Sequence, residues 1–434
     1  MMMFRYYLEL AVRSLRRSPG LTALMVLTIG IGVGACMTTL TVFHVLSGDP
    51  LPSKSARVFN VQLDAEPMRG YKPGEDPVLQ LTRFDAEKLL SEAYGSRQVM
   101  MSGGHVPIEP EGQSAFFSTA RYTSADFFAM FEAPFQFGTG WTAADDTAQA
   151  RVVVLSSENN ERLFGGGDSR GKTVVLRGKD FRVLGVLKPW RPVPHFYDLT
   201  MGSFGKTEGV YVPFSTAMEL KFSASGQNSC WGDAPNGDRR GVAAPCAWLQ
   251  YWAEVDHENK AGDYLQYLEN YSDQQRAAGR FERPTNVRAH TVMGWLKNQE
   301  VVPKDIGLQL WLAFGFLVVC LVNTVGLLLA KCLRRSGEIG VRRALGAPSK
   351  AIFAQFLVEA GSLGLAGGLL GLGLTVLGLW AVRHGSSSYA ELVQLDTPML
   401  LTTLALALLA SLCAGLLPAW RACLVSPALQ LKTQ

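Results

Sequence analysis

Charge is what this 434-residue chain has least of: Asp, Glu, Lys and Arg make up 18% of it, against roughly a quarter in soluble globular proteins. That scarcity excludes a wholly soluble enzyme. Catalytic signatures are missing too. The six histidines, His44, His105, His195, His257, His290 and His384, form no H-E-x-x-H, and neither a G-x-S-x-G elbow nor a zinc-type C-x-x-C spacing occurs. Each histidine reads as a surface or interfacial residue, and covalent chemistry and metal binding drop out as leading functions.

The shortage of charge is concentrated. Residues 21–43, 306–330, 361–382 and 397–420 contain no Asp, Glu, Lys or Arg, and each run has the roughly 20 apolar residues needed to cross about 30 Å of hydrocarbon. The first is too long for a secretory h-region and no cleavage site follows it, so it reads as a retained anchor. Lys and Arg mark the cytoplasmic side: Arg5, Arg13, Arg16 and Arg17 precede the first run, and Lys331, Arg334, Arg335, Arg342, Arg343 and Lys350 lie between the second and third. Both termini are therefore expected inside a bacterial cytoplasmic membrane. The expected order is a cytoplasmic amphipathic helix (1–20), span (21–45), extracytoplasmic α+β domain (46–304) and span (305–330). A cytoplasmic loop (331–350), span (351–382), short outer loop (383–396), span (397–420) and cytoplasmic tail (421–434) complete it.

Cysteine usage agrees. Of seven cysteines only Cys230 and Cys246 fall in the outer block, where disulfides persist; a bridge closing the polar loop between them is expected to contribute about 3 kcal/mol. Before the first span, Phe4, Tyr7, Leu8, Ala11, Val12 and Leu15 recur at helical spacing among arginines, the pattern of a helix lying on anionic lipid headgroups. Gly30 and Gly34, Gly364 and Gly368, and Gly367 and Gly371 are each four apart, which lets helix backbones approach closely. Two polar residues interrupt the apolar runs: Asn323 reads as interhelical hydrogen-bond glue, and Glu359 as a carboxylate near the interface within reach of arginines.

In the outer block, residues 57–63, 151–155, 173–176, 181–187, 209–214 and 247–255 read as strands, and 81–94, 124–131, 157–164 and 263–276 as helices. Interleaved strands and helices predict α+β subdomains. Residues 166–173, GGDSRGKT, match the P-loop pattern letter for letter. A P-loop follows a strand and opens a helix; this one follows a helical run and opens an alternating hairpin, so nucleotide binding is not expected.

Between the second and third spans, Ile339, Arg342, Arg343 and Gly346 share helical spacing, with Val341 and Leu345 four apart and Gly346-Ala347-Pro348 as a stop. This predicts a short helix on a rigid hairpin of two spans. A soluble partner could grip it by Ile339, Val341 and Leu345, with the charged residues fixing orientation.

The segment EIGVRRALGAPSKAIFAQFLVEA, the ending from Gly415 to Ala422 with Ser426, Pro427 and Ala428, and the run LFGGGDSRGKTVVLRGKDFRVLGVL together resemble MacB-like and FtsX-like permeases of ABC transporters. The resemblance implies that Glu338, Ile339, Gly340, Val341, Arg342, Arg343, Ala344, Leu345, Gly346 and Ala347 form a coupling helix seated on a cytoplasmic ABC ATPase subunit. It implies a dimer with a second permease, the same chain or a different one, whose ATP-driven closure moves the second span and reshapes the outer domain. Only about 20 residues precede the first span, so the ATPase is expected on a separate subunit, which also holds ATP and Mg; this chain is expected to bind no cofactor and to be non-catalytic. Membrane lipids and a periplasmic adaptor are further candidate partners, nucleic acid is not. The implied task is export or extraction of an amphipathic molecule such as an antimicrobial peptide, toxin or lipid. The alternative is an FtsX-like scaffold that signals to an extracytoplasmic partner such as a cell-wall hydrolase.

Overall fold

The computed structural model describes residues 2–112, 114–385, 389–393 and 396–423. It resolves into two compact units, one of residues Met1–Ser47 and Val302–Gln434 and one of Gly48–Val301. The end of the expected tail, including Ser426, Pro427 and Ala428, and parts of the short loop after the third span lie outside the described residues.

In the first unit the helices Pro19–Ser47, Lys304–Arg334, Ser349–Arg383 and Thr397–Cys423 are the four spans. The helix Met2–Arg17 precedes them; Ser18 alone separates it from the first span, which opens on Pro19, a residue that fits a first helical turn because it has no N–H to leave unpaired. Met25, Ile29, Val33, Leu317, Leu328, Leu363 and Ala407 form the shared core of the four spans. The outward faces keep large apolar residues such as Trp311 and Leu369 exposed, as a lipid environment permits.

All six glycines noted in the sequence sit where two spans touch. A Cβ on Gly30 would lie 2.8 Å from Leu370 Cδ2, one on Gly34 2.8 Å from Leu374 Cβ, one on Gly367 2.6 Å from Ile29 Cγ2, and one on Gly371 3.1 Å from Gly30 O. These four seat the first span against the third. Gly364 and Gly368 face the fourth span at Ala407 and Ser411. Thr375 Oγ1 donates to Gly371 O (2.9 Å) and approaches Gly34 O (3.5 Å), across the first seam.

The second unit is built on a 13-stranded mixed sheet. Its main path runs Val287–Thr291, Val58–Leu63, Cys246–Glu254, Arg97–Ile108, Phe116–Thr123, Val210–Pro213, Val152–Leu155, Lys179–Leu187 and Phe135–Gly138. Two neighbouring pairs are parallel, Phe116–Thr123 with Val210–Pro213 and Val152–Leu155 with Lys179–Leu187. One continuous sheet therefore underlies the expected α+β architecture. Cys246–Glu254 is buried at every position, which is why its sequence, CAWLQYWAE, reads as nearly unbroken apolar residues instead of alternating ones. Helices Arg83–Glu92 and Ser157–Phe164 start on Thr82 and Ser156, whose hydroxyls accept from Asp85 N–H and Asn159 N–H.

Two long central strands were not apparent in the sequence. Arg97–Ile108 and Phe116–Thr123 pair over eight residues, but Gly103, Gly104 and Pro107 break the alternation in one and the other begins on exposed residues. Gly104 is required there, since a Cβ would run into the Tyr122 ring. The helix expected over 124–131 shortens to the single turn Phe127–Met130. The P-loop-like string joins Ser157–Phe164 to the hairpin Thr173–Leu176/Lys179–Leu187, and Gly171 N–H is already spent on Val183 O (2.9 Å). Helix, loop and strand follow in the reverse of P-loop order.

Candidate functional site

The loop between the second and third spans forms the helix Ser336–Ala344. Its end is built by the backbone: Gly346 N–H donates to Arg343 O and Ala347 N–H to Arg342 O, both 3.1 Å, with Gly346 at φ +93°. This is a Schellman stop, and the left-handed position is one that a side chain disfavours. Pro348 then leads into the third span.

The helix is clamped on its inner side. Ile339 and Gly340 are buried, Ile339 against Cys332, Ile352, Phe356 and Ala419. Ile339 is therefore an internal anchor; the sequence had placed it among the residues a partner would grip, and the heptad-like spacing that suggested this cannot tell the bundle side from the outer side. The charges are tied internally as well. Glu338 Oε1 accepts from Arg342 Nη2 (2.7 Å), Glu338 Oε2 lies 3.5 Å from Arg335 and 3.6 Å from Arg17, and Arg343 Nη1 donates to Cys423 O (2.8 Å). Beside the partly exposed Glu338–Arg342 pair, the outward surface is apolar: Val341 is 55% and Leu345 83% exposed, flanked by exposed Ala344 and Gly346, with Ala347 half-buried.

A buried polar node supports this helix from behind. Lys331 Nζ donates to Glu359 Oε1, Ser14 Oγ donates to the same oxygen (2.6 Å), and Arg335 Nη1 donates to Ser14 Oγ (2.6 Å) while lying 3.8 Å from Glu359 Oε2. Glu359 is 1% exposed and Lys331 5%. The node ties the N-terminal helix, the second span and the third span together. The sequence reading placed arginines around Glu359 and counted Lys331 only as a topology signal; the signal it underused is a carboxylate set inside an apolar run, which needs a partner. Asn323 does not act as interhelical glue inside this chain: it is exposed. The cross-span hydroxyl contact belongs to its neighbour, Thr28 Oγ1 to Thr324 Oγ1 at 3.3 Å.

In the second unit, Cys230 and Cys246 form a disulfide on the paired strands Ser229–Cys230 and Cys246–Glu254. The sequence reading missed a buried ionic cluster there. Arg121 is fully buried; its Nη1 donates to Asp198 Oδ2 (2.5 Å) and its Nε to Glu208 Oε1 (3.0 Å). Tyr197 OH donates to Glu208 Oε2 (2.8 Å), and His195 Nε2 lies 3.7 Å from Glu208 Oε1. Burial, the largest single influence, raises Glu208, but the charge of Arg121, the neighbouring His195 and the hydrogen bonds from Arg121 and Tyr197 together outweigh it and hold the carboxyl down at about 2. Burial lowers His195 and keeps it neutral, so it departs from the surface role expected of it. No sequence pattern could have joined residues 121, 195, 198 and 208, which the sheet brings together from separate segments. Among the described residues no group of three His, Cys, Asp or Glu side chains is placed to hold a metal ion.

Four apolar helices, an α+β domain inserted between the first two and a capped loop helix between the second and third define a polytopic membrane protein with a large extracytoplasmic insert. The model of the MacB-like periplasmic core domain matches residues 22–243 and that of the FtsX-like permease C-terminal region matches residues 310–427. The chain belongs to the MacB-like, FtsX-like permease family of ABC transporters, multi-pass proteins of the inner membrane whose members work with an ATPase. It is 26% identical over 432 residues to the macrolide export ATP-binding/permease protein MacB of Rhodospirillum rubrum, covering 98% of this chain and 60% of that protein. It is 23% identical over 420 residues to the pyoverdine export ATP-binding/permease protein PvdT of Pseudomonas aeruginosa, covering 95% and 56%. The chain thus spans about three fifths of the length of these relatives. Among solved structures, the periplasmic region of MacB from Actinobacillus actinomycetemcomitans aligns at 15% identity with a TM-score of 0.37, covering 58% of this chain and 95% of that one. The extracellular domain of the noncanonic ABC-type transporter YknZ aligns at 13% with a TM-score of 0.34, covering 54% and 98%.

Proposed function

We propose that this chain is the non-catalytic permease subunit of a MacB-like ABC exporter, in which Val341 and Leu345 seat the loop helix in a cytoplasmic ABC ATPase subunit that binds ATP and Mg. The observation that carries the reading is the division of the helix into a clamped face, Ile339 and Gly340, and an apolar face left bare, Val341 and Leu345. A bare leucine on a helix fixed by a Schellman stop and a buried ion node is a preformed knob, so little ordering entropy is lost on docking. The arginine and lysine distribution supports a cytoplasmic position for this loop and for both termini. Two permeases and two ATPases would make the working assembly, and closure of the ATPases would move the second span and with it the inserted domain. The relatives' names, macrolide export and pyoverdine export, support an amphipathic cargo.

The test is to purify the tagged chain from its native membrane and identify the accompanying proteins by mass spectrometry. Burying Leu345 on a partner is worth about 1.5–3 kcal/mol, so Leu345→Asp is expected to lower recovery of an ABC ATPase by about ten- to a hundredfold while insertion and thermal stability stay as in the parent. Recovery of the ATPase at the parent ratio with both Leu345→Asp and Val341→Asp, or of no ATPase with the parent chain, refutes the assignment. A cell-wall hydrolase in place of exporter components points to a signalling scaffold.

A further inference from the structure

The second span, Lys304–Arg334, carries a polar side chain where lipid should be. Asn323 is exposed and makes no side-chain hydrogen bond among the described residues. Lys331, the nearest charged residue along the helix, is eight positions away, about 12 Å at the helical rise of about 1.5 Å. That is too deep for so short a side chain to reach water or headgroups. Hydroxyls in the spans show how polar groups are ordinarily settled: Thr38, Thr39, Ser362 and Thr402 each donate to the carbonyl four residues back. Asn323 has no such bond, and an amide left unpaired in hydrocarbon is costly enough to require a partner. Gln309, the other amide of this charge-free run, sits at its outer end within reach of water.

The residues in line with Asn323 form a seam. Positions 312, 316, 319, 323, 326 and 330 are spaced four and three apart in turn, and every one is exposed. Steps of four and three make the heptad repeat by which two helices wind together, with Phe316, Asn323 and Ala330 at one core position and Leu312, Val319 and Gly326 at the other. Gly326 has nothing within 4 Å of an added Cβ, so a second backbone can come close beside the amide. The outward side of the span is wider than this seam, since Trp311, Val318 and Val322 are exposed too. Those residues are apolar, as lipid requires; the amide singles out one line.

We infer that this seam pairs with the same seam of a second copy of the chain, parallel and about a two-fold axis, with the two Asn323 side chains hydrogen-bonded to each other. Two copies insert in the same direction, so their amides stand at equal depth, and an amide both donates and accepts. One asparagine at a heptad core position fixes register and the number of helices. A different protein would have to offer a polar group at that depth and in that line; a second copy does so by construction. The inference rests on the two-permease assembly proposed above, and it selects the identical chain as the second permease.

The test follows self-association of the purified full chain, with no ATPase present, by energy transfer between labelled copies diluted in phosphatidylethanolamine and phosphatidylglycerol vesicles. The chain is expected to dimerise, Asn323→Leu to weaken the dimer by about tenfold, and Asn323→Gln, which keeps the amide, to weaken it less. Melting temperature should stay at the parent value, because Asn323 holds nothing within its own chain. Copper-catalysed disulfides above the parent background should join copies through Val319→Cys and not through Val318→Cys, one line over. Leu345→Asp should leave the dimer unchanged, so an Asn323-dependent dimer supports the inference whether or not an ATPase is recovered. A chain that stays monomeric overturns it, as does a dimer indifferent to Asn323→Leu or one joined through Val318→Cys instead. Capture from native membranes of a different membrane protein that Asn323→Leu abolishes, with the purified chain monomeric, also overturns the pairing of like with like.

Discussion

Adding one methyl group at Gly364 tests whether the third and fourth spans are set by glycine contacts. In the structure a Cβ at this position lies 2.7 Å from Ser411 Cβ and 3.0 Å from Ala407 O, and it also meets Ser411 Oγ. Rotating the Ser411 hydroxyl away relieves the last contact only, because the other two involve a Cβ and a backbone oxygen. Ordinary contact begins near 3.4 Å, so the helices must part by about 0.7 Å along the seam. Overpacking of this kind typically costs about 1–3 kcal/mol, less the roughly 1 kcal/mol by which alanine outdoes glycine in a helix. Gly364→Ala is therefore expected to destabilise by up to about 2 kcal/mol. Gly315→Ala, where nothing lies within 4 Å, should be neutral or stabilising by up to about 1 kcal/mol. The assay is reversible unfolding in mixed micelles, with Ser411→Gly as the compensating change: it removes the Cβ and the hydroxyl, leaving only the Ala407 contact, and the double variant should recover more than half the loss. Equal effects of Gly364→Ala and Gly315→Ala, or no recovery in the double variant, would refute the reasoning.

Lys331→Met should destabilise by about 3 kcal/mol, since it leaves the buried Glu359 to Ser14 and a more distant Arg335; Lys331→Met with Glu359→Leu should recover most of it, and additive losses in the same unfolding assay would rule out the pairing. Stability should fall as pH drops below about 6.5, because unfolded His195 takes up a proton that the buried, folded ring, facing Glu208, Asp198 and Arg121, refuses; the folded value is the lower one, so the stability is present above 6.5 and lost on acidification. A flat melting temperature between neutral and mildly acid pH, or the same slope in His195→Phe, tells against this. Cys230 and Cys246 should resist maleimide labelling on intact cells until reduced, and free labelling without reductant would contradict the bridge.

The four spans were legible because charge-free runs of that length have one physical explanation, and the glycine contacts because a four-residue glycine spacing makes sense only where backbones meet. The strands Val58–Leu63, Thr173–Leu176 and Cys246–Glu254 were also readable, since each carries its own pattern of β-branched and aromatic residues. Arg97–Ile108 was hidden by its glycines, of which Gly104 is required by Tyr122 on the paired strand, a tertiary fact no local window contains. The loop helix was visible, but its two apolar faces were not separable: Ile339 and Leu345 look alike in sequence and differ only in which one the spans cover. The ionic cluster is assembled from residues up to 87 apart in the chain, where periodicity carries no information.

The cluster of Arg121, Asp198 and Glu208 also limits how the family's sequences can change. Replacing any one of the three strands a charge where water does not reach, whereas exchanging them together for apolar residues of similar volume is tolerable. Single evolutionary steps are closed at these positions and concerted ones stay open. Related chains should therefore carry the three either intact or absent as a set.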